Sequence, residues 1–295
     1  NEIITGKSKD KIITVQPSPI SNIILDGRTF FVKRDDLIDP FLAGNKYRKL
    51  YSLLQTPKEN YNKIISYGGT QSNAMLAIAA MCKEKDWEFI YYSKPISKIL
   101  KNQSFGNLYE AKELGMTHIE IEYENYRDFI AQLRVNLDDK TFLIDQGGAD
   151  NLARKGIEVL ASEIKDSNAG TKSLATPSGT GTTALFLALS LPEYKVYTVP
   201  CVGSSDYLKK QMQALHKIPD NLIILEPSKK YHFAKPYPEF LEMYNKLLDS
   251  GIEFDLLYAP LMFKTLLENT TEEILYIHSG GITGNESMLA RYNVG

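Results

Sequence analysis

Short runs of β-branched and aromatic residues alternate with helix-compatible stretches along almost the whole chain, and this alternation constrains the fold most. Strands separated by helices form parallel sheets with helices on their faces, so we predict an α/β protein. The predicted strands are Phe30–Lys33, Lys63–Tyr67, Glu88–Tyr92, Thr117–Ile121, Thr141–Ile144, Ser173–Thr176, Lys195–Pro200, Leu222–Leu225, Phe254–Tyr258 and Glu273–Ile277. The clearest predicted helices are Asn45–Leu54, Ser72–Lys83 and Ala184–Leu191.

The composition is that of an ordinary globular protein. With 295 residues, 43% of them hydrophobic, and a formal net charge of −2, the chain can bury one large core or two smaller ones. Its charges are interspersed, which argues against a nucleic-acid or membrane surface, and no run reaches the ~18 apolar residues of a membrane span. Cys82 and Cys201 lie in apolar patterns without metal-ligand spacing. We therefore expect two buried thiols, no metal, and a cytoplasmic protein.

A lysine follows a glycine at the start of a predicted helix, in Gly44-Asn45-Lys46-Tyr47-Arg48-Lys49-Leu50. An amine attacks a carbonyl group only when it is unprotonated, so a catalytic lysine is partly buried or lies near other cations. Arg48 and Lys49 would help to lower the pKa of Lys46 in this way. Taken alone, such a segment is more often the basic first turn of a surface helix.

Two glycine-containing turns join a predicted strand to a predicted helix. In Gly68-Gly69-Thr70-Gln71-Ser72-Asn73, the amides at the helix start would bind a substrate carboxylate, although a plain turn with Ser72 or Asn73 as N-cap explains the pattern equally well. In Ser178-Gly179-Thr180-Gly181-Thr182-Thr183, small residues would let backbone amides approach a phosphate. This second turn is neither a Walker loop nor a dinucleotide fingerprint.

His278-Ser279-Gly280-Gly281 follows the last predicted strand. Ligand-binding loops of an open parallel sheet gather at the carboxyl ends of its strands, so this segment has a suitable position for a site. A terminal turn is the simpler explanation, and a lone histidine is more often packed than catalytic.

These elements together resemble the fold-type II pyridoxal phosphate enzymes, specifically the branch with 1-aminocyclopropane-1-carboxylate deaminase and D-cysteine desulfhydrase. The most specific part is Lys33-Arg34-Asp35-Asp36-Leu37 followed by Gly-Asn-Lys-x-Arg-Lys-Leu, and Pro17-Ser18-Pro19-Ile20 also matches. The resemblance implies a tryptophan synthase β-like fold, with two open, mostly parallel sheets, flanking helices and a site between the domains. We expect residues 1–45 with 141–295 to form the large cofactor-binding domain and 46–140 the small one, with hinges near Asp145–Ala149 and Asp39–Asn45.

The resemblance also implies roles for individual residues. Lys46 would form the Schiff base with pyridoxal 5'-phosphate and, with Ser72, act in catalysis. Ser279 would face the pyridine nitrogen of the cofactor and Asn73 its ring. The phosphate would be held by Lys49, Gly179, Thr180, Gly181 and Thr182. The substrate would contact Ser72, Asn73, Ala74 and Tyr237.

The chain departs from this branch where an Asp-Pro-Val-Tyr segment is usual, because Ala259-Pro260-Leu261-Met262-Phe263 stands there. The cyclopropane substrate has no α-hydrogen, so its ring opening needs a further base or nucleophile that Met262 cannot supply. We therefore expect β-elimination from a small amino acid such as D-cysteine, giving a 2-oxo acid, ammonia and sulfide. Ala74 also replaces a usual His or Gln, which removes a side-chain contact with the substrate.

Three alternatives remain open at this point. One is deamination of 1-aminocyclopropane-1-carboxylate, with Tyr258 or Tyr237 in place of the missing tyrosine. A second is a non-catalytic protein that binds the cofactor or an amino acid, and a third is an α/β protein that binds another phosphorylated ligand. The resemblance further implies a homodimer.

Overall fold

The computed structural model describes residues 16–42, 44–145 and 150–292. Ala43 and four of the five residues of the predicted hinge Asp145–Ala149 lie outside the described residues. The strands are β1 (Ile20–Leu25), β2 (Arg28–Lys33), β3 (Lys63–Tyr67), β4 (Glu88–Ser93), β5 (Met116–Glu120), β6 (Thr141–Ile144), β7 (Ser173–Ala175), β8 (Lys195–Thr198), β9 (Leu222–Ile224) and β10 (Ile274–Ile277).

Helices follow most of these strands. In chain order they are α1 (Asn45–Gln55), α2 (Asn73–Lys85), α3 (Lys98–Lys101), α4 (Asn107–Glu113), α5 (Tyr123–Val135), α6 (Asp150–Asp166), α7 (Thr182–Ser190), α8 (Ser205–Leu215), α9 (Pro238–Asp249), α10 (Ala259–Asn269) and α11 (Asn285–Tyr292). Within the described ranges, no helix is both long and apolar enough to cross a membrane.

The chain divides into two compact units. The first is built mainly from residues 49–145 and contains a four-stranded parallel sheet in the order β5-β4-β3-β6. Its core includes Ile64 of β3 and Met75 and Ile78 of α2, all at most 2% exposed. The interior strand β3 buries three consecutive residues, whereas the edge strand β5 alternates with exposed positions. The predicted boundaries between the large and the small domain, after residues 45 and 140, stay a prediction.

The second unit is built mainly from residues 17–38, 44–48 and 154–292. Its six-stranded sheet has the order β1-β2-β10-β7-β8-β9, parallel except for the β1–β2 hairpin. Its core includes a cluster of aromatic rings. The ring centroid of Phe263 lies 5.3 Å from that of Phe30 and 4.4 Å from that of Tyr276. The late strand β10 therefore lies in the middle of this sheet.

The α/β prediction is confirmed, and nine predicted strands are present with shifts of at most two residues at their ends. The strand predicted at Phe254–Tyr258 is wrong: these residues form a turn before α10, and the carboxylate of Asp255 accepts hydrogen bonds from the amides of Leu257 and Tyr258. The sequence analysis also missed β1. The signal for it was present, since Asp26-Gly27 is a typical two-residue hairpin turn.

Candidate active site

Lys46 lies in the first turn of α1 and is half-buried. The backbone before it is fixed by Gly44, whose φ is 59°. A Cβ atom at Gly44 would lie 1.9 Å from the carbonyl oxygen of Ser279, and the amide of Asn45 donates to the same oxygen at 3.3 Å. The structure thus brings the lysine segment against the His278-Ser279 segment, two parts of the chain that the sequence analysis had singled out separately.

Arg48 does not act as the sequence analysis expected. Its guanidinium is 1% exposed and forms ion pairs with the carboxylates of Asp35 and Glu163. Burial alone would lower the pKa of Arg48, but the two carboxylates more than offset this effect and raise it. Because its charge is compensated in this way, Arg48 is a poor source of positive potential for Lys46.

His278 is a packed histidine rather than a candidate catalyst. It follows β10, is 1% exposed and stacks on Phe254 at 4.6 Å. Its Nδ1 accepts from the amide of Gly280 at 3.1 Å, and its Nε2 lies 2.7 Å from the carbonyl oxygen of Glu253. Because a carbonyl only accepts, this network assigns the proton to Nε2 and a neutral ring. Both ring nitrogens are therefore occupied, and Ser279, which is half-buried, is the polar side chain left for a ligand here.

The segment Ser178–Thr183 forms a turn between β7 and α7. Gly181 is the N-cap residue with φ 83°, and a Cβ atom there would lie 2.4 Å from Cε of Met212. The hydroxyl oxygens of Thr180 and Thr182 are 3.0 Å apart. The first amides of a helix lack acceptors within the helix and point toward its N-terminal end. Amides and hydroxyls of this kind suit an anion, so we call this turn the cradle. That it binds a phosphate stays a prediction.

Tyr258 stands beside this cradle. Its hydroxyl oxygen would be 3.5 Å from a Cβ atom at Gly179, and its ring lies 5.3 Å from that of Phe233. Burial raises the pKa of Tyr258, so its hydroxyl remains a neutral donor. The amide of Tyr258 donates to the carboxylate of Asp255, so the turn at Asp255 fixes the position of Tyr258. Tyr258 was predicted from the sequence only as a possible replacement for the missing tyrosine.

The segment Gly68–Asn73 joins β3 to α2 in the first unit. Ser72 is the N-cap of α2 and accepts from the amide of Met75 at 3.3 Å. From β4, the hydroxyl of Tyr91 donates to the carbonyl oxygen of Gly69 at 3.0 Å and also hydrogen bonds with Ser72. The N-cap explanation of this segment is therefore correct, and the carboxylate site at this helix start stays a prediction.

A second support holds Asn73. The side-chain nitrogen of Asn107, at the start of α4, donates to Oδ1 of Asn73 at 2.9 Å and to the carbonyl oxygen of Gln71 at 3.0 Å. The side-chain oxygen of Asn73 is therefore bonded within the first unit. Neither Tyr91 nor Asn107 carries a short-range sequence signal, because each contacts residues that are at least 19 positions away.

The remaining predicted residues have varied surroundings. Lys49 is buried and Ala74 is half-buried. The hydroxyl of Tyr237 accepts from the amide of His232 at 3.0 Å, and its ring packs on Tyr231 at 4.9 Å, so this tyrosine is held by its own loop. Met262 and Phe263 are fully buried in the core and offer no polar group. Among the residues placed by the structure, no group of three or more His, Cys, Asp or Glu side chains could hold a metal.

The residues present fit pyridoxal 5'-phosphate. The cradle at Ser178–Thr183 supplies amides and hydroxyls suited to a phosphate, and at Gly181 there is no room for a side chain against Met212. In the same unit, a lysine segment packs on a serine segment. A lysine amine, a phosphate cradle and a neutral hydroxyl are the groups that a protein uses to bond, anchor and orient this cofactor.

Comparisons with known proteins agree with this fit, although no protein-family model matches the chain. A Thermotoga maritima protein provisionally named 1-aminocyclopropane-1-carboxylate deaminase is 27% identical over 286 residues, covering 88% of this chain and 90% of the relative. The Arabidopsis thaliana mitochondrial bifunctional D-cysteine desulfhydrase/1-aminocyclopropane-1-carboxylate deaminase is 24% identical over 309 residues, covering 91% and 77%.

Solved structures show the same relationship at the level of fold. A homologue of 1-aminocyclopropane-1-carboxylate deaminase has a TM-score of 0.71 at 22% identity and covers 94% of each chain. A pyridoxal 5'-phosphate-dependent aspartate racemase has a TM-score of 0.62 at 11% identity, covering 90% of this chain and 91% of its own. In sequence and in fold, the chain resembles the branch of the fold-type II pyridoxal phosphate enzymes that contains 1-aminocyclopropane-1-carboxylate deaminase and D-cysteine desulfhydrase.

Proposed function

We propose that this protein is a pyridoxal phosphate-dependent lyase that eliminates the β-substituent of a small amino acid and releases a 2-oxo acid and ammonia. D-Cysteine, which would also yield sulfide, is the favoured substrate. The observation that carries the proposal is the contact of Gly44 and Asn45 with Ser279, because it joins the lysine segment to a loop suited to the cofactor ring. The name of the Arabidopsis relative includes D-cysteine desulfhydrase and supports this activity, whereas the name of the Thermotoga relative supports only deamination of 1-aminocyclopropane-1-carboxylate.

Each site residue has a proposed task. When bound, pyridoxal phosphate supplies an aldehyde that bonds amines and a ring that accepts electrons from the α-carbon. Lys46 would hold the aldehyde, and its amine, once released by the substrate amine, would remove the α-proton. Ser279 would lie near the ring nitrogen as a neutral hydroxyl, which suits elimination better than transamination. The phosphate ligands would be Lys49, Gly179, Thr180, Gly181 and Thr182.

The substrate carboxylate would be bound by the segment Ser72-Asn73-Ala74. Because Ser72 already hydrogen bonds with Tyr91, we assign the carboxylate chiefly to backbone amides and give Ser72 a supporting part in proton transfer. Asn73 would lie against the ring. The hydroxyl of Tyr237 already accepts a hydrogen bond from the amide of His232. We therefore propose that Tyr237 contacts the substrate with its ring or its loop backbone.

The choice of β-elimination rests on Met262 and Phe263. Both are fully buried and apolar, so they offer no base for opening a ring that lacks an α-hydrogen. Deamination of 1-aminocyclopropane-1-carboxylate is the second candidate. It is favoured by the hydroxyl of Tyr258 beside Gly179, a neutral donor that could take the place of the missing tyrosine.

The experiment is a visible spectrum of the purified protein with pyridoxal 5'-phosphate, followed by two assays. We expect a visible band that Lys46→Ala abolishes, together with pyruvate and sulfide from D-cysteine. 2-Oxobutyrate from 1-aminocyclopropane-1-carboxylate instead would establish the second candidate. A band without turnover above the Lys46→Ala level would identify a binding protein. A colourless protein with no borohydride-reducible adduct would refute the cofactor itself.

Two further properties belong to the proposal. We infer a homodimer from the resemblance to the family, and light scattering of the purified protein tests it. The buried, unpaired thiols of Cys82 and Cys201 support a reducing compartment such as the cytoplasm, which localisation of the tagged full-length protein would check.

A further inference from the structure

The segment Lys33-Arg34-Asp35-Asp36 has no task in the proposed function, yet two of its residues belong to a buried group of charges in the second unit. Lys33, Asp35 and Arg48 are each 1% exposed, and Glu163 of α6 is 13% exposed. We call these four residues the charge cluster. It contains two positive and two negative groups, so its formal charges cancel.

Asp35 and Glu163 divide the hydrogen bonds of Arg48 between them. Asp35 accepts from Nε at 2.9 Å and from Nη2 at 2.8 Å, whereas Glu163 accepts from Nη1 at 2.7 Å and from Nη2 at 2.8 Å. Lys33 donates to Glu163 at 2.6 Å. The hydroxyl of Ser18 donates to Asp35 at 2.5 Å. The planar guanidinium is therefore held at both of its edges, a geometry that a lysine ammonium cannot reproduce.

Asp35 also holds the backbone on the other side of Lys46. Its carbonyl oxygen accepts from the amide of Gly44 at 2.9 Å, and the carbonyl oxygen of Gly44 accepts from the amide of Arg48 at 3.3 Å. One residue thus contacts the chain two positions before Lys46 through its main chain and two positions after it through its side chain. Lys46 lies between these two attachments.

Stability alone does not account for this arrangement. Removing charges from water is costly, and apolar side chains of similar volume often serve as well or better. What ion pairs of this geometry add is a fixed position, and small displacements of a reacting group have large effects on rate. We propose that Asp35 is the positioning residue for Lys46, fixing the first turn of α1 so that the lysine amine is held where it bonds the cofactor aldehyde.

This inference rests on the proposed function, and its test uses two charge-balanced double variants of the full chain. Lys33→Met with Asp35→Asn removes one positive and one negative charge and breaks the Asp35–Arg48 attachment. Lys33→Met with Glu163→Gln removes the same two kinds of charge but leaves that attachment intact. The second variant is therefore the matched control.

The probes are pyridoxal 5'-phosphate and pyridoxamine 5'-phosphate, which has an amine in place of the aldehyde and cannot bond Lys46. We expect the Asp35 double variant to bind pyridoxal phosphate about 10- to 100-fold more weakly than the control, with a shifted pH profile of the visible band. Its affinity for pyridoxamine phosphate should equal that of the control. A loss of affinity for both ligands would indicate general damage to the fold, and unchanged binding of both would also overturn the inference.

Two measurements keep the outcomes separate. If the unaltered protein forms no visible adduct, the proposed function fails, whatever the variants do. If the Asp35 double variant does not fold, Arg48→Lys replaces it, because lysine keeps the charge but cannot bridge both carboxylates. The same selective loss of pyridoxal phosphate binding is then expected, and equal binding of both probes to Arg48→Lys and the control would refute the role of Asp35.

Discussion

Gly44 and Gly27 show how differently two glycines with positive φ can matter. Their φ angles are 59° and 77°, values that side chains rarely adopt. A Cβ atom at Gly27 would meet nothing within 4 Å, whereas one at Gly44 would lie 1.9 Å from the carbonyl oxygen of Ser279. Gly27 supplies only a turn conformation, but Gly44 also permits two backbone segments of the site to touch.

We predict that Gly44→Ala is far more damaging than Gly27→Ala. The backbone strain alone costs about 1–2 kcal/mol and applies to both variants. Gly44→Ala must in addition push the lysine segment away from Ser279. Urea unfolding should show the larger loss for Gly44→Ala, and its visible band with pyridoxal phosphate should be weakened or absent. Equal losses, with the band retained in both variants, would contradict the importance of this contact.

Tyr91 is the second residue whose role can be isolated. Tyr91→Phe removes a hydroxyl that donates to Gly69 and bonds Ser72. Because Gly69 is exposed and Ser72 is half-buried, water can replace the lost partner, and the cost in stability is about 0.5–1.5 kcal/mol. Because the affected loop is the proposed carboxylate site, we expect KM for the amino acid to rise more than kcat falls. The control is Tyr92→Phe, in the same strand, whose ring packs on Phe129 at 4.7 Å. A similar change in KM for both variants would count against the assignment.

At the scale of elements, the turn Phe254–Tyr258 explains why a predicted strand is absent. The run Phe-Asp-Leu-Leu-Tyr has the apolar content of a buried strand, but Asp255 stands at its second position and binds the amides of the next turn. Such side-chain to backbone bonds compete with sheet pairing. The strands that were predicted correctly contain no such competitor next to a helix start.

The same turn makes a prediction about pH. Burial raises the pKa of Asp255 above its ordinary value of 3.8, against the opposing effect of the backbone amides that donate to its carboxylate. A group with a raised folded pKa contributes stability fully below its unfolded pKa and loses that contribution as pH rises through the folded value. The free energy of unfolding of the protein, relative to Asp255→Asn, should therefore fall as the pH rises above about 4, by at most about 1.4 kcal/mol per pH unit. A rise over this range would show that the amide donors outweigh burial.

For the whole molecule, the sequence predicted the architecture better than the tertiary contacts. Alternating strands and helices identify a parallel α/β fold because both are local patterns. The ion pair between Arg48 and Glu163 joins residues 115 positions apart. The hydrogen bond from Arg28 to Thr270 joins residues 242 positions apart. No local pattern contains such pairs. Of the predicted site, the loops and helix starts were therefore predictable, whereas their supports Asp35, Tyr91 and Asn107 were not.

Cofactor binding should stabilise the whole fold if the site is correctly identified. A ligand that binds only the folded state adds about 2.7 kcal/mol at a concentration 100 times its dissociation constant. We expect pyridoxal phosphate to raise the melting temperature of the protein. In Lys46→Ala the increase should be smaller, because only the phosphate cradle still binds the cofactor. Adding Thr180→Val to Lys46→Ala should reduce the increase further. Identical melting curves with and without the cofactor would contradict the site.

The position of β10 in the middle of the six-stranded sheet has a consequence for the nascent chain. This strand pairs with β2 on one side and β7 on the other, although it is synthesised long after both. Until β10 has been synthesised, the edges of β2 and β7 that pair with it in the folded protein are unpaired. The contact between Gly44 and Ser279 is also absent until then. The contact between the lysine segment and Ser279 can therefore form only after residues 274–281 have been synthesised, and under the proposed function we expect the coenzyme to bind after that step.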